Sequence, residues 1–177
     1  LKDEKFKGTD SPLPLSVYKK FSQSRNLKTL YLKGSNVDDA ALEYITQCRN
    51  LTLLNLSANE DIGLAAFSKL KRLKKLRALM IEAMNLDDRY LGVVSKLSSL
   101  SELNISNNPD ITYDGLKKLG KLEGLGVLTL GNIGIAENQE KLSIKQIVQF
   151  ANSKPSIYNL GLKVNFKKVK DSENLGD

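Results

Sequence analysis

Leucine returns along this chain at a nearly fixed interval, and few folds accommodate that. The phrase apolar-x-x-apolar-x-apolar begins at Leu27 (Leu27, Leu30, Leu32). It recurs at Leu51 (Leu51, Leu54, Leu56), Leu76 (Leu76, Leu79, Ile81), Leu100 (Leu100, Leu103, Ile105) and Leu125 (Leu125, Leu128, Leu130). The steps between these starts are 24, 25, 24 and 25 residues, and a more distant copy at Ile157, Leu160 and Leu162 follows after 32. Such a period marks stacked supersecondary units, because one unit of this size cannot bury its apolar face alone.

The steps also alternate, so that units 49 residues apart resemble each other more than neighbours do. After the Leu27 and Leu76 phrases come Asn36-Val37-Asp38-Asp39 and Asn85-Leu86-Asp87-Asp88. After the Leu51 and Leu100 phrases come Asn59-Glu60-Asp61-Ile62 and Asn108-Pro109-Asp110-Ile111, with one extra residue before the apolar anchor. Repeated duplication of a two-unit block produces this pattern. Within each phrase, strand alternation turns the fourth and sixth positions inward and the fifth to solvent, while the first leucine enters the core from the preceding bend. Asn59 and Asn108 suit a turn whose backbone groups need a side-chain partner, and Ser35 can do part of that work. Met84 and Ile133 cannot, which predicts a polar ladder broken at those two units.

The second half of each unit reads as helix. Asp38 or Asp39 caps a segment turning Ala41, Leu42 and Ile45 inward; Asp87 or Asp88 caps one turning Leu91, Val94 and Leu97 inward. Leu64, Phe67 and Leu70 form a similar stripe, as do Leu116 and Leu119. At the ends, residues 12–24 predict a turn and a helix carrying Val17, Tyr18 and Phe21. Residues 143–152 predict a helix with Ile144, Ile147, Val148 and Phe150, stopped before Pro155. The residues beyond Phe166 read as a charged, fraying tail. The resulting division is an N-terminal capping segment over 1–26, repeats over 27–155, and a last strand with its tail over 156–177.

The phrase L-x-x-L-x-L-x-x-N with a helical second half, repeated at this period over residues 27–165, resembles the leucine-rich-repeat superfamily. Within it, Cys48-Arg49-Asn50-Leu51 and Ile111-Thr112-Tyr113-Asp114-Gly115-Leu116 resemble the cysteine-containing class found in F-box substrate adaptors; bacterial effectors with similar repeats match equally well. The resemblance implies an α/β right-handed solenoid with about six parallel strands on the concave side and helices on the convex side. It also implies that a protein partner lies against the strands.

What the chain lacks narrows its chemistry. There is no histidine, which removes the commonest general base and metal ligand. The single cysteine, Cys48, has no such partner, and the repeat register places it in the core; one cysteine also allows no internal disulfide and favours a reducing compartment. Asp38/Asp39 and Asp87/Asp88 fall at helix starts, where negative charge is favourable anyway. The glycine pairs Gly124/Gly126 and Gly131/Gly134 lack any phosphate-loop lysine. The triplets starting at Asn50, Asn55 and Asn104 match a glycosylation sequon, yet the repeat phrase generates them by itself. No apolar run is long enough for a membrane span. A chain that opens Leu1-Lys2-Asp3-Glu4-Lys5, without Met, reads as a fragment or processed product.

These observations predict a non-catalytic protein–protein interaction module in the cytoplasm or another intracellular space, with a host cytosol as the variant for a secreted effector. No cofactor, metal or small-molecule substrate is expected. The solvent-facing strand column is Tyr31, Asn55, Met80, Asn104, Thr129 and Gly161. Beside it run Lys33, Ser57, Glu82, Ser106, Gly131 and Lys163, then Gly34, Ala58, Ala83, Asn107, Asn132 and Val164. Tyr31, Lys33, Asn55, Met80, Glu82 and Asn104 are the expected contact patch, because tyrosine is enriched at interface hot spots and methionine repacks against varied surfaces. The net charge of +7 keeps a nucleic-acid or ribonucleoprotein role as the rival, carried by the convex cluster Lys69, Lys71, Arg72, Lys74, Lys75 and Arg77. Solvation of a helix face and bend is the plainer account of that cluster, since its interleaved leucines belong to the core. A third reading makes the chain the recognition part of a larger enzyme whose catalytic part lies elsewhere.

Overall fold

The computed structural model describes residues 4–7, 12–133, 135–136, 139–140 and 142–161. Each leucine phrase forms a short strand, and the strands stack in parallel. They are β2 (Leu27–Tyr31), β3 (Leu53–Asn55), β4 (Ala78–Met80), β5 (Glu102–Asn104), β6 (Val127–Thr129) and β9 (Asn159–Gly161). Leu30, Leu54, Leu79, Leu103, Leu128 and Leu160 are register partners from one strand to the next. The first five of them are fully buried. Their side chains supply the layer that no single unit could close, each contributing about 2 kcal/mol or more on leaving water.

The sheet has seven strands among the described residues, one more than the leucine phrases predict. β1 (Glu4–Lys7) pairs in parallel with β2, with Phe6 opposite Leu30 and therefore in the leucine column. Glu-Lys-Phe-Lys has one apolar residue and none of the phrase, so the periodicity does not reveal it. Phe6 stacks at 4.6 Å against Phe21 of α1 (Leu15–Gln23), which also buries Tyr18. The long step before the last unit has a local cause: β7 (Ile135–Ala136) and β8 (Gln139–Glu140) form an antiparallel pair inserted there. The last helix, α6 (Ile144–Asn152), is closed by a capping box between Ser143 and Gln146. It buries Ile147 and Phe150 and leaves Val148 48% exposed. Leu162, Lys163, Val164 and the tail beyond Phe166 lie outside the described residues.

The helices alternate as the sequence does. Asp38 caps α2 (Asp39–Ile45) by accepting from Ala41 N, and Asp87 caps α4 (Asp88–Val94) by accepting from Arg89 N. The second acid of each pair reaches the next unit instead. Asp39 Oδ1 accepts from Gly63 N (2.7 Å) ahead of α3 (Leu64–Phe67). Asp88 accepts from Thr112 N (2.8 Å) and Thr112 Oγ1 (2.6 Å) ahead of α5 (Tyr113–Lys118). This close approach explains Gly115: a Cβ there would stand 2.1 Å from Asp88 Oδ1.

The polar ladder is not broken at Met84. Asn108 is fully buried and serves its own turn and the one before it. Its Oδ1 accepts from Met84 N (3.0 Å) and Leu86 N (3.1 Å), while its Nδ2 donates to Ile81 O, Ile105 O and Ser106 O. Asn59 does the same 49 positions earlier, accepting from Val37 N (2.8 Å) and donating to Leu32 O (2.8 Å), Leu56 O and Ser57 O. One asparagine per two units suffices because each side chain spans two turns. After Ile133 the chain passes into residue 134, outside those described.

Two tests follow. Asn108→Ala leaves five buried backbone groups without this partner and is expected to cost about 3 kcal/mol in denaturant unfolding. Its signature is faster amide exchange at Met84 and Leu86, in the neighbouring unit. Tyr18→Phe is expected to be neutral, or stabilising by up to about 1 kcal/mol, because the buried Tyr18 hydroxyl has no hydrogen-bond partner among the described residues. A clear loss of stability would contradict that.

Candidate protein-binding face

The strands carry their outward side chains in rows. Tyr31, Asn55, Met80, Asn104, Thr129 and Gly161 are opposite one another across six consecutive strands. All six are half-buried, as expected of side chains standing on an uncovered sheet face. The register therefore brings together four of the six expected contact residues. Lys33 and Glu82 lie just past the ends of β2 and β4; Lys33 is exposed and Glu82 half-buried.

Several of these groups are already positioned by bonds of their own. Asn55 Oδ1 accepts from Ser57 N (2.9 Å), and Asn104 Oδ1 accepts from Ser106 N (3.0 Å). Both asparagines thus fix the turn after their strand. Glu82 accepts from Asn107 Nδ2 (2.8 Å) and, more weakly, from Asn104 Nδ2 (3.4 Å). Asn132 Nδ2 donates to Asn107 Oδ1 (2.8 Å), extending the chain of polar groups along one rim of the face. Pre-set side chains of this kind lose less freedom when a partner arrives.

One column differs from expectation. Ser57 and Ser106 are 1% and 2% exposed rather than solvent-facing, and Gly131 is buried with them. The reason is again bonding between units: Ser57 Oγ accepts from Glu82 N (3.2 Å) and Ser106 Oγ from Gly131 N (3.0 Å). The next column consists of turn residues with positive φ: Gly34, Ala58, Ala83, Asn107 and Asn132. Conversely, a row two residues upstream of the central one also belongs to this face, though the sequence does not single it out. Thr29, Leu53, Ala78, Glu102 and Val127 are register partners on the same face. Strand alternation alone places them there, and Leu53, Ala78 and Val127 make the face more apolar than Tyr31 and Met80 suggest.

On the helix side, the basic run divides. Glu43 accepts from both Lys69 and Arg72, the latter at 2.7 Å. The Lys69 bond, then that of Arg72, holds the Glu43 carboxyl below the usual carboxylate range. Lys74, Lys75 and Arg77 instead face a cleft at the bend before β4. Among the described residues no cluster of three or more His, Cys, Asp or Glu side chains is suited to a metal. None of the described helices is long and apolar enough to cross a membrane.

The Leucine Rich repeat family matches residues 96–120, covering the bend, β5 and all of α5. The stacked strands and helices have the leucine-rich-repeat fold. Solved structures share the fold at low sequence identity. TLR13, in a complex with the RNA ssRNA13, aligns with a TM-score of 0.59 and 20% identity over 86% of this chain and 20% of its own. Leiomodin-1 actin-binding site 2 aligns with a TM-score of 0.53 and 15% identity over 73% of this chain and 79% of its own. An internalin from Listeria monocytogenes aligns more loosely, at 0.45 with 18% identity, over 90% of this chain and 55% of its own. This leucine-rich-repeat chain spans about a fifth of the length of TLR13. No curated protein matches it in sequence.

Cys48 illustrates how fully the leucine-rich-repeat core absorbs reactive groups. It is buried, its Sγ lies 3.8 Å from Tyr44 O, and burial pushes its thiol up to about 11. The thiolate is the reactive form. In the native protein at pH 8, labelling by a maleimide is therefore expected to be slow, and to become rapid only in denaturant. Rapid native labelling would show that the unit containing Cys48 opens.

Proposed function

We propose that this protein recognises a protein partner on its strand face, as an adaptor or specificity module, an effector fragment or a subunit of a larger assembly. The supporting observation is the row Tyr31, Asn55, Met80 and Asn104, aligned on consecutive strands and half-buried. Parallel sheets are ordinarily covered on both faces. Here the row is partly open to solvent and includes one tyrosine and one methionine, with Leu53 and Val127 half-buried beside them. Lys33 and Glu82 flank the row with opposite charges, giving a partner both an apolar contact and an electrostatic register. Leiomodin-1, whose matching segment bears the name actin-binding site 2, offers a precedent for this fold in a protein-binding segment.

Nucleic acid is the second reading, and the RNA in the TLR13 complex keeps it in view. It has less support in the cluster Lys71, Arg72, Lys74 and Lys75, since Arg72 is already engaged by Glu43. One experiment separates the two readings. Partner capture from the native source is expected to survive moderate salt, to fall about tenfold or more with Tyr31→Ala/Met80→Ala, and to be unaffected by Lys71→Gln/Lys74→Gln. Capture of nucleic acid with a steep salt dependence, lost in the lysine variant alone, would establish the second reading instead.

A further inference from the structure

A cleft of about 800 Å³ lies at the bends leading into the strands, on the opposite edge from the Asn59 and Asn108 turns. It is lined by Lys28, Thr52, Lys74, Lys75, Arg77, Ser99, Leu100, Ser101 and Gly124. Four cations line it, and among the described residues no carboxylate does. The contrast with the neighbouring helix face is informative, because there Glu43 neutralises Lys69 and Arg72. No carboxylate among the described residues pairs with Lys74, Lys75 or Arg77. Lys75 Nζ donates to the neutral Asn50 Oδ1 (2.6 Å), which fixes its position without cancelling its charge.

The floor of the cleft favours an anion too. Backbone carbonyls at a bend would ordinarily repel one. Here Thr52 Oγ1 donates to Lys28 O (3.1 Å), Ser99 Oγ to Lys74 O (2.6 Å) and Ser101 Oγ to Arg77 O (3.3 Å). Three acceptors are thereby quenched by hydroxyl protons, and recognition falls to the cations. A dianion entering the cleft would meet cations on its walls and no described carboxylate.

We propose that this cleft binds a phosphorylated side chain of a protein segment. A phosphoryl group brings close to two negative charges and three acceptor oxygens to one point. Arg77 offers a fork for two of those oxygens, while Lys74 and Lys75 act as point charges beside it. A nucleic-acid strand fits the cleft less well, for two reasons. The row of residues across these bends reads Lys28, Thr52, Arg77, Ser101, Gly126, so the charge ends after three strands and makes a spot instead of a track. Among the described residues no aromatic ring lines the cleft to stack a base. The next residue of the row, Tyr158, is 82% exposed and lies against Gly126, where a Cβ would stand 2.4 Å from the ring. It stands outside the cleft, placed to contact a residue flanking the phosphorylated one.

The site is separate from the strand face and can be tested separately. The test titrates the whole isotope-labelled chain with a phosphoserine peptide of degenerate flanks, following amide resonances. Shifts are expected at Thr52, Arg77, Ser99 and Ser101, absent with the unphosphorylated peptide. Lys74→Gln/Arg77→Gln is expected to weaken binding about tenfold or more, while Lys117→Gln/Lys121→Gln, with the same change in net charge, leaves it within about twofold. Tyr31→Ala/Met80→Ala is expected to leave it unchanged, so failure here and failure of the strand-face reading are distinguishable. Thermal melts matching the parent chain confirm that the variants fold. Equal weakening by the two charge variants, a decauridylate that binds as tightly with the same shifts, or no localised shifts at all would each overturn the proposal.

Discussion

Stacked parallel strands pair backbone N–H and C=O groups of one unit with those of the next, and the turns between strand and helix must satisfy theirs without a regular ladder. Buried groups left over there would cost more than the leucines return, since one unsatisfied buried amide offsets much of a leucine's burial. The molecule resolves this with side chains that cross between units. Asn59 and Asn108 reach back to the preceding turn, Asp39 and Asp88 reach forward to the next helix, and Ser57 and Ser106 accept from the following strand. Every one of these pairs is related by the 49-residue step. The apparent irregularity of the sequence is thus a two-unit device: one unit supplies the asparagine and serine, its neighbour the bridging aspartate.

That device also governs the functional surface. Because the crossing side chains anchor the turns at the ends of the strands, the central row can differ from one unit to the next. Tyr31 and Met80 occupy positions where Asn55 and Asn104 hold turns in the alternate units. Neither contributes a bond to the turn pattern that the two asparagines share. At the opposite edge, hydroxyls again cross between units, Thr52, Ser99 and Ser101 each bonding a bend carbonyl of the unit before.

The leucine column, the parallel order and the row Tyr31–Asn55–Met80–Asn104 were all legible in the sequence, because period and alternation alone determine them. Other features depend on contacts that a linear pattern does not encode. β1 carries one apolar residue, Phe6, whose place becomes apparent only against Leu30 and Phe21. Ser57 and Ser106 have the alternation of exposed residues but are drawn inward by the amides of Glu82 and Gly131. Met84 looked incompetent because its own side chain is; its partner sits 24 residues downstream. The basic run likewise reads as one stripe until the fold divides it between Glu43 and the cleft.

Hydroxyl-radical footprinting of the protein with its captured partner tests the strand-face account most directly, since tyrosine and methionine are among the readiest targets. Oxidation of Tyr31 and Met80 should fall on complex formation, while Tyr113 and Tyr90, on the helix side, keep the rate they have in the isolated chain. Protection confined to Tyr90 and Tyr113, with Tyr31 and Met80 unaltered, would place the partner on the helices and contradict the account.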